Sequence, residues 1–115
     1  MGEILCGQNF AENLPFGIAI TARLEKCWHK YKHSRALQAI LIDVGHLSQT
    51  FQLCATGLKL HPWLTGIFSD RLLVEILRLE KTSEYPFFFI GAGYGDGHSL
   101  SQEMRQLLRN TEGKK

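Results

Sequence analysis

The chain has 115 residues, 44% of them hydrophobic and 21% charged, with 13 Lys plus Arg against 11 Asp plus Glu and a formal charge of +2. That length is one soluble domain with a modest core, too short for a multidomain enzyme and too apolar to be disordered. Both signs of charge are spread along the chain with no basic stripe to neutralise many phosphates, so nucleic acid is not an expected partner.

Residues 1–13 mix Gly, Gln, Asn and Glu without a period and read as a lead segment to a domain over 14–110. Residues 16–24, FGIAITARL, predict a strand, because Ile18, Ile20 and Thr21 are β-branched and Phe16, Ile18 and Ile20 share one face at period two. The polar stretch EKCWHKYKHSR that follows fits helix and extended chain equally. Next, Val44, Leu47, Phe51, Cys54 and Leu58 recur at steps of three and four, the stripe of a helix with one buried face. It is expected to begin within 37–42 and to end near Gly57, whose lack of a Cβ suits a left-handed close, with Pro62 barring continuation. Gly45 inside it costs about 1 kcal/mol relative to Ala, so a close backbone neighbour is expected there.

WLTGIF (63–68) reads as a short apolar extended segment, and Ser69 as the N-cap of a helix carrying Leu72, Leu73, Ile76, Leu77 and Leu79. YPFFFI (85–90), bounded by Pro86 and a run of glycines, predicts a well-buried strand. Ser99 and Gln102 suggest a capping box for a short helix bearing Leu100, Met104, Leu107 and Leu108, before a frayed tail at 111–115. The order gives an α+β fold: a small, mostly antiparallel sheet packed by a long central helix. Two good strands make a marginal sheet with open edges, so another chain or a second copy is expected to complete it.

Cys6, Cys27 and Cys54 cannot all pair, and none lies in a C-x-x-C, which favours a reducing, cytoplasmic setting over a disulfide framework or zinc ribbon. The N-terminus has an early acid and no basic n-region, so no signal peptide is expected. The longest apolar runs fall far short of the roughly twenty residues of a membrane helix, so no membrane association is expected.

Among candidate sites, GAGYGDG (91–97) fails the G-x-G-x-x-G spacing in both frames and reads first as a flexible exit from a strand. Cys27, His29 and His33 with Glu25 do not complete a zinc ligand set, and no metal is expected. His46, His61 and His98 are scattered singles. Cys54 falls on the apolar stripe and is expected in the core, whereas Cys27 beside Lys26 and His29 has no nucleophile signature around it. Lys30 with Tyr31 could pass a proton between phenol and ammonium, although by residue type alone a solvent-facing pair is commoner.

W-H-K-Y-K-H-S-R-A at 28–36, I-D-V-G-H-L-S-Q-T-F at 42–51, W-L-T-G-I-F-S-D at 63–70 and Y-P-F-F-F-I-G-A-G-Y at 85–94 together carry a resemblance. They resemble, in order, the motifs of the SagB-type branch of the flavin-dependent nitroreductase family, over roughly residues 17–94. The resemblance implies the C-terminal half of an FMN enzyme that oxidises thiazolines or oxazolines in modified peptides. It implies that Lys30 and Tyr31 remove a proton from the azoline ring as hydride passes to the flavin. It further implies that Trp63, Leu64, Thr65, Gly66 and Ile67 run beside the isoalloxazine, where backbone N–H groups can stabilise a reduced flavin. Arg35, inside the Lys-Tyr motif, becomes a cofactor ligand or a structural ion pair. The family's Arg-rich phosphate motif and further helices would lie ahead of this region, so the resemblance implies a partner chain or second copy that completes the FMN site. Lys32 and His33 stand where the family motif has Gly, and Leu37 where an aromatic is frequent. The alternative is a non-catalytic nitroreductase-like subunit that acts in assembly or regulation.

Overall fold

A computed structural model describes residues 2–31, 34–95, 106, 109 and 110. Strand β1 (Phe16–Arg23), helix α1 (Leu24–Lys30), helix α2 (Arg35–Gly57), strand β2 (His61–Thr65), helix α3 (Asp70–Ile76) and strand β3 (Glu84–Gly93) follow in order, with 3₁₀ turns at Asn9–Asn13 and Leu79–Lys81. The sheet is antiparallel, ordered β1-β3-β2, so the aromatic-rich β3 is central. The third strand comes from the short extended segment, since His61 to Thr65 pair with Gly93 to Phe89. Pro62 is tolerated because β2 is an edge. Pro86 lies in the central strand where the ladder shifts register between Ile20 and Thr21, a place where a missing N–H costs little.

Both faces of the sheet carry packing, although Phe16 and Ile18 of β1 stay exposed. On one, Phe16 meets Phe51 of α2 edge-on, with ring centroids 6.3 Å apart. On the other, Phe89 packs with Leu5, Ala11 and Leu73, joined by Ile4, Leu14, Ala19, Trp63 and Phe68. The aperiodic lead segment therefore contributes to the core, and Leu5 is fully buried.

β3 extends beyond the predicted Ile90, and residues 89–93 are all buried. Gly91 and Gly93 thus belong to a strand, which corrects their reading as a flexible exit. A Cβ on Gly91 would lie 3.0 Å from Phe16 O, and one on Gly93 would lie 2.8 Å from Pro15 Cδ, so the crossing of residues 14–16 explains both glycines. Gly17 is similar: a Cβ there would stand 2.7 Å from Phe89 Cε1 and closer still to Cζ. Because Phe89 is buried and wedged against Trp63, its ring has nowhere to go. Gly17→Ala is expected to destabilise the fold by about 1–3 kcal/mol in urea titration, the usual cost of overpacking.

Helix α2 is 23 residues long, about 34 Å, and starts at Arg35, ahead of the predicted window. It buries Ala36, Ile40, Ser48 and Ala55, a mostly small-residue line that lets the backbone approach the sheet. Ser48 satisfies its own hydroxyl by donating to Val44 O at 2.7 Å. The predicted stripe is rotated to one flank of this line, which corrects two expectations. Leu47, Leu58 and Cys54 are exposed, and nothing lies within 4 Å of a Cβ on Gly45. The helix ends where expected, but the left-handed residue is Lys59 (φ 60°) rather than Gly57. Leu60 N–H reaches Ala55 O and Lys59 N–H reaches Thr56 O, both at 2.9 Å, which completes a Schellman motif.

Ser69 caps α3 as predicted, accepting from Leu72 N–H at 3.5 Å. Leu73 and Leu79 are buried, while Ile76 and Leu77 are exposed because the helix stops at Ile76 and turns through Arg78 (φ 54°). Of the helix predicted around Leu100 to Leu108, Gln106 is described and helical, as are Arg109 and Asn110 beyond it; the rest lies outside the described residues. Among the described residues no helix is long and apolar enough to cross a membrane.

Candidate functional site

The open question of the polar stretch resolves as helix: α1 runs seven residues and buries none of them. It stops at Tyr31, which is extended and donates its N–H to Cys27 O at 2.8 Å. Tyr31 stands beside the first turn of α2, where it shares a cavity lining with Arg35. Tyr31, Arg35, Gln38, Ala39 and Ile42 line a shallow cavity of about 450 Å³. Lys30 Nζ sits 5.1 Å from the Tyr31 ring centroid, over its face, a cation–π arrangement. Tyr31 thus adjoins both Arg35, with which it shares the cavity, and Lys30, which lies over its ring, and all three are exposed to solvent. The cavity can seat a small planar group against an aliphatic floor, with a phenol and a guanidinium at its rim.

The predicted flavin-flanking residues form a second place. Trp63, Leu64 and Thr65 are the end of β2, and Gly66 and Ile67 turn outward into solvent toward α3. None of these five lines the Tyr31 cavity. Trp63 lies against Phe89, with ring centroids 6.2 Å apart, and Thr65 is buried. Thr65 Oγ1 accepts the Ile67 N–H at 2.9 Å, so this donor is already used within the turn. Gln8 crosses to the same turn, its side-chain amide donating to Ile67 O at 2.9 Å, to Leu5 O at 3.0 Å and, more weakly, to Thr65 Oγ1 at 3.4 Å. Nothing in the periodicity of residues 2–13 marks Gln8; a polar side chain among buried Leu5 and Ala11 is the one signal that could have found it.

Other candidates are placed as follows. Cys27 is half-buried and His29 exposed, while His33 lies outside the described residues; among those described, no three His, Cys, Asp or Glu converge as a metal site. His98 also lies outside them. Arg23 is committed to Glu84, with Nε to Oε1 at 2.6 Å, and Thr21 donates to the same carboxylate at 3.2 Å. The Arg23 hydrogen bond, helped by Thr21, holds the Glu84 carboxyl below its usual range. This pair locks the open end of the β1–β3 ladder, and Ser83 Oγ donates to Glu25 nearby. Arg71 borders an open hollow of about 770 Å³ together with Asp70, Glu75 and Glu80, whose negative charge argues against a phosphate there.

The sequence model of the nitroreductase family matches residues 3–94. This chain belongs to the nitroreductase family. Among curated proteins it is 31% identical over 86 residues to a Methanocaldococcus jannaschii protein described as "Putative nitroreductase MJ1384", the match covering 75% of this chain and 41% of that protein. The chain thus spans about two fifths of the length of the nitroreductase relative it matches. No solved structure matches it. Family membership accounts for the α+β architecture, and it includes the lead segment in the matched region.

Nitroreductases are typically FMN proteins. Toward the ring end of a flavin the structure offers an exposed Gly66–Ile67 turn, whose Ile67 N–H is already taken by Thr65 Oγ1, beside an indole lying against Phe89. The phosphate end finds a poorer fit among the described residues, with Arg23 tied to Glu84 and Arg71 among acids.

Proposed function

We propose that this chain is the C-terminal part of a flavin-dependent oxidoreductase of the SagB type, acting on azoline rings of modified peptides, whose FMN site another chain or a second copy completes. The observation that supports this reading is Tyr31, which lines one cavity with Arg35 and carries Lys30 Nζ over its ring face. FMN would supply the hydride acceptor; since residues 63–67 do not line the Tyr31 cavity, the chain or second copy that completes the site would have to bring the flavin to it. The Lys30–Tyr31 pair handles the ring proton, with Lys30 Nζ lying over the Tyr31 ring face. Arg35, which lines the same cavity as Tyr31, serves as a cofactor ligand or a structural ion pair.

The apolar surface supports the partner. Leu37, Leu41, Ile42, Leu47, Leu53 and Leu58 of α2 are all exposed, and β1 and β2 both present open edges. The same surface also supports the second reading, a non-catalytic subunit that uses this face only to assemble. An absorbance spectrum and light-scattering mass on the chain purified with the products of its neighbouring genes separate the two. A flavin-bearing hetero- or homo-oligomer is expected. A colourless, well-folded oligomer favours the assembly subunit, and a colourless monomer removes both readings.

A further inference from the structure

We propose that Gln8 is a positioning residue that latches the 65–67 turn, so that the lead segment sets the geometry of the surface where the flavin ring rests. The flavin part of this inference rests on the reading above; the latch stands on the geometry alone. One side-chain amide reaches acceptors 57 and 59 residues away, Thr65 Oγ1 and Ile67 O, while also closing on Leu5 O within its own segment. Thr65 Oγ1 in turn takes Ile67 N–H, so Gln8, Thr65 and Ile67 form a closed polar ring around Gly66.

The segment that carries Gln8 is itself anchored twice. Leu5 is fully buried against Leu73 and Phe89, and Ser69 N–H donates to Ile4 O at 2.7 Å, just beyond the turn. The turn is therefore held from its far side by Ser69 and from its near side by Gln8. Left alone, a Gly66–Ile67 turn with both residues exposed would sample many conformations. The latch removes that freedom before any ligand arrives, which lowers the ordering cost of binding.

Gln8 has the chemistry for this. Its carboxamide nitrogen supplies two donors to a place rich in acceptors: two carbonyls and a hydroxyl already accepting an N–H. A glutamate of the same shape would bring only acceptors. The isosteric Gln8→Glu change therefore tests donation without removing bulk.

The test is amide hydrogen exchange on the full chain, in the wild type and in Gln8→Glu, Gln8→Ala, Thr65→Val and Thr65→Ser. Exchange at residues 66–69 is expected to speed up about tenfold in the first three. It should stay near wild type in Thr65→Ser, which keeps the hydroxyl. Amides of the β1–β3 ladder are expected to be unchanged in all four. Unchanged exchange at 66–69 in the Gln8 variants overturns the latch, and so does a uniform acceleration across the sheet, which would make Gln8 a general stability residue. In the flavin-bearing assembly, the Gln8 variants are expected to bind FMN about tenfold more weakly and to shift its reduction potential, a change that a purely structural role would not produce. Local acceleration in an assembly whose wild type binds no flavin supports the latch and refutes the flavin reading.

Discussion

Tyr31→Phe is expected to lower peptide-azoline dehydrogenation by about 10²–10⁴-fold while the assembly keeps its flavin, the range general acid–base groups contribute. The change removes one oxygen. Phenylalanine keeps the ring under Lys30 Nζ and the wall of the cavity shared with Arg35, so packing and the cation–π contact survive. Tyr31 is 41% exposed and its backbone is held by the Cys27 carbonyl, so stability should move by no more than about 0.5 kcal/mol. Lys30→Ala should give a smaller loss, because the ammonium faces the ring and acts through it. The double variant should lose no more than Tyr31→Phe, since two groups serving one proton transfer are not additive. Steady-state turnover with flavin absorbance recorded on the same samples checks all three. Full activity in Tyr31→Phe, with loss only in Tyr31→Ala, would make the ring a wall of the site and remove its proton role.

Leu5→Ala is expected to cost about 2–5 kcal/mol, a large share of the roughly 5–15 kcal/mol that holds a domain of this size. Leu5 has 0% exposure and packs in one cluster with Ala11, Leu73 and Phe89, so its removal opens a cavity that no flexible neighbour can refill. The cost falls on the segment that carries Gln8 and the Ile4 carbonyl, so the variant should also release the 65–67 turn. Leu53→Ala on α2 is the control. Leu53 is 66% exposed, and in the isolated chain its truncation should move stability by about 0.5 kcal/mol or less. Urea titration of both variants checks the pair. A cost below about 1 kcal/mol at Leu5 would mean that the lead segment does not pack as part of the folding unit.

How much of this was legible beforehand depended on whether a residue's neighbours were local. The Ser69 cap, the buried aromatic strand and the end of the long helix follow from short-range chemistry: a side-chain oxygen at an N-cap, an apolar run between turn residues, a helix that cannot pass Pro62. Lys30, Tyr31 and Arg35 were singled out through the family resemblance of one motif spanning six positions. The register of α2 was not. Val44, Leu47, Phe51, Cys54 and Leu58 form a sound helical stripe, but the sheet lies against Ala36, Ile40, Ser48 and Ala55, where small side chains allow closer approach. Hydrophobic spacing locates a face only to within its own width, and Leu47 and Leu58 fall outside the part of it that is buried.

From the amino-acid order alone came the α+β class and the main elements, because helix periodicity, caps and turn chemistry act over a few residues. Only the tertiary structure decided that β2 joins the sheet as an edge, that Gly17, Gly91 and Gly93 are glycines because other chain segments press on them, and that the aperiodic lead segment reaches across to the turn through Gln8. Those are contacts between residues far apart in the chain. No local pattern encodes them, since a strand edge, a crossing backbone and a carboxamide donor become neighbours only once the whole sheet has formed.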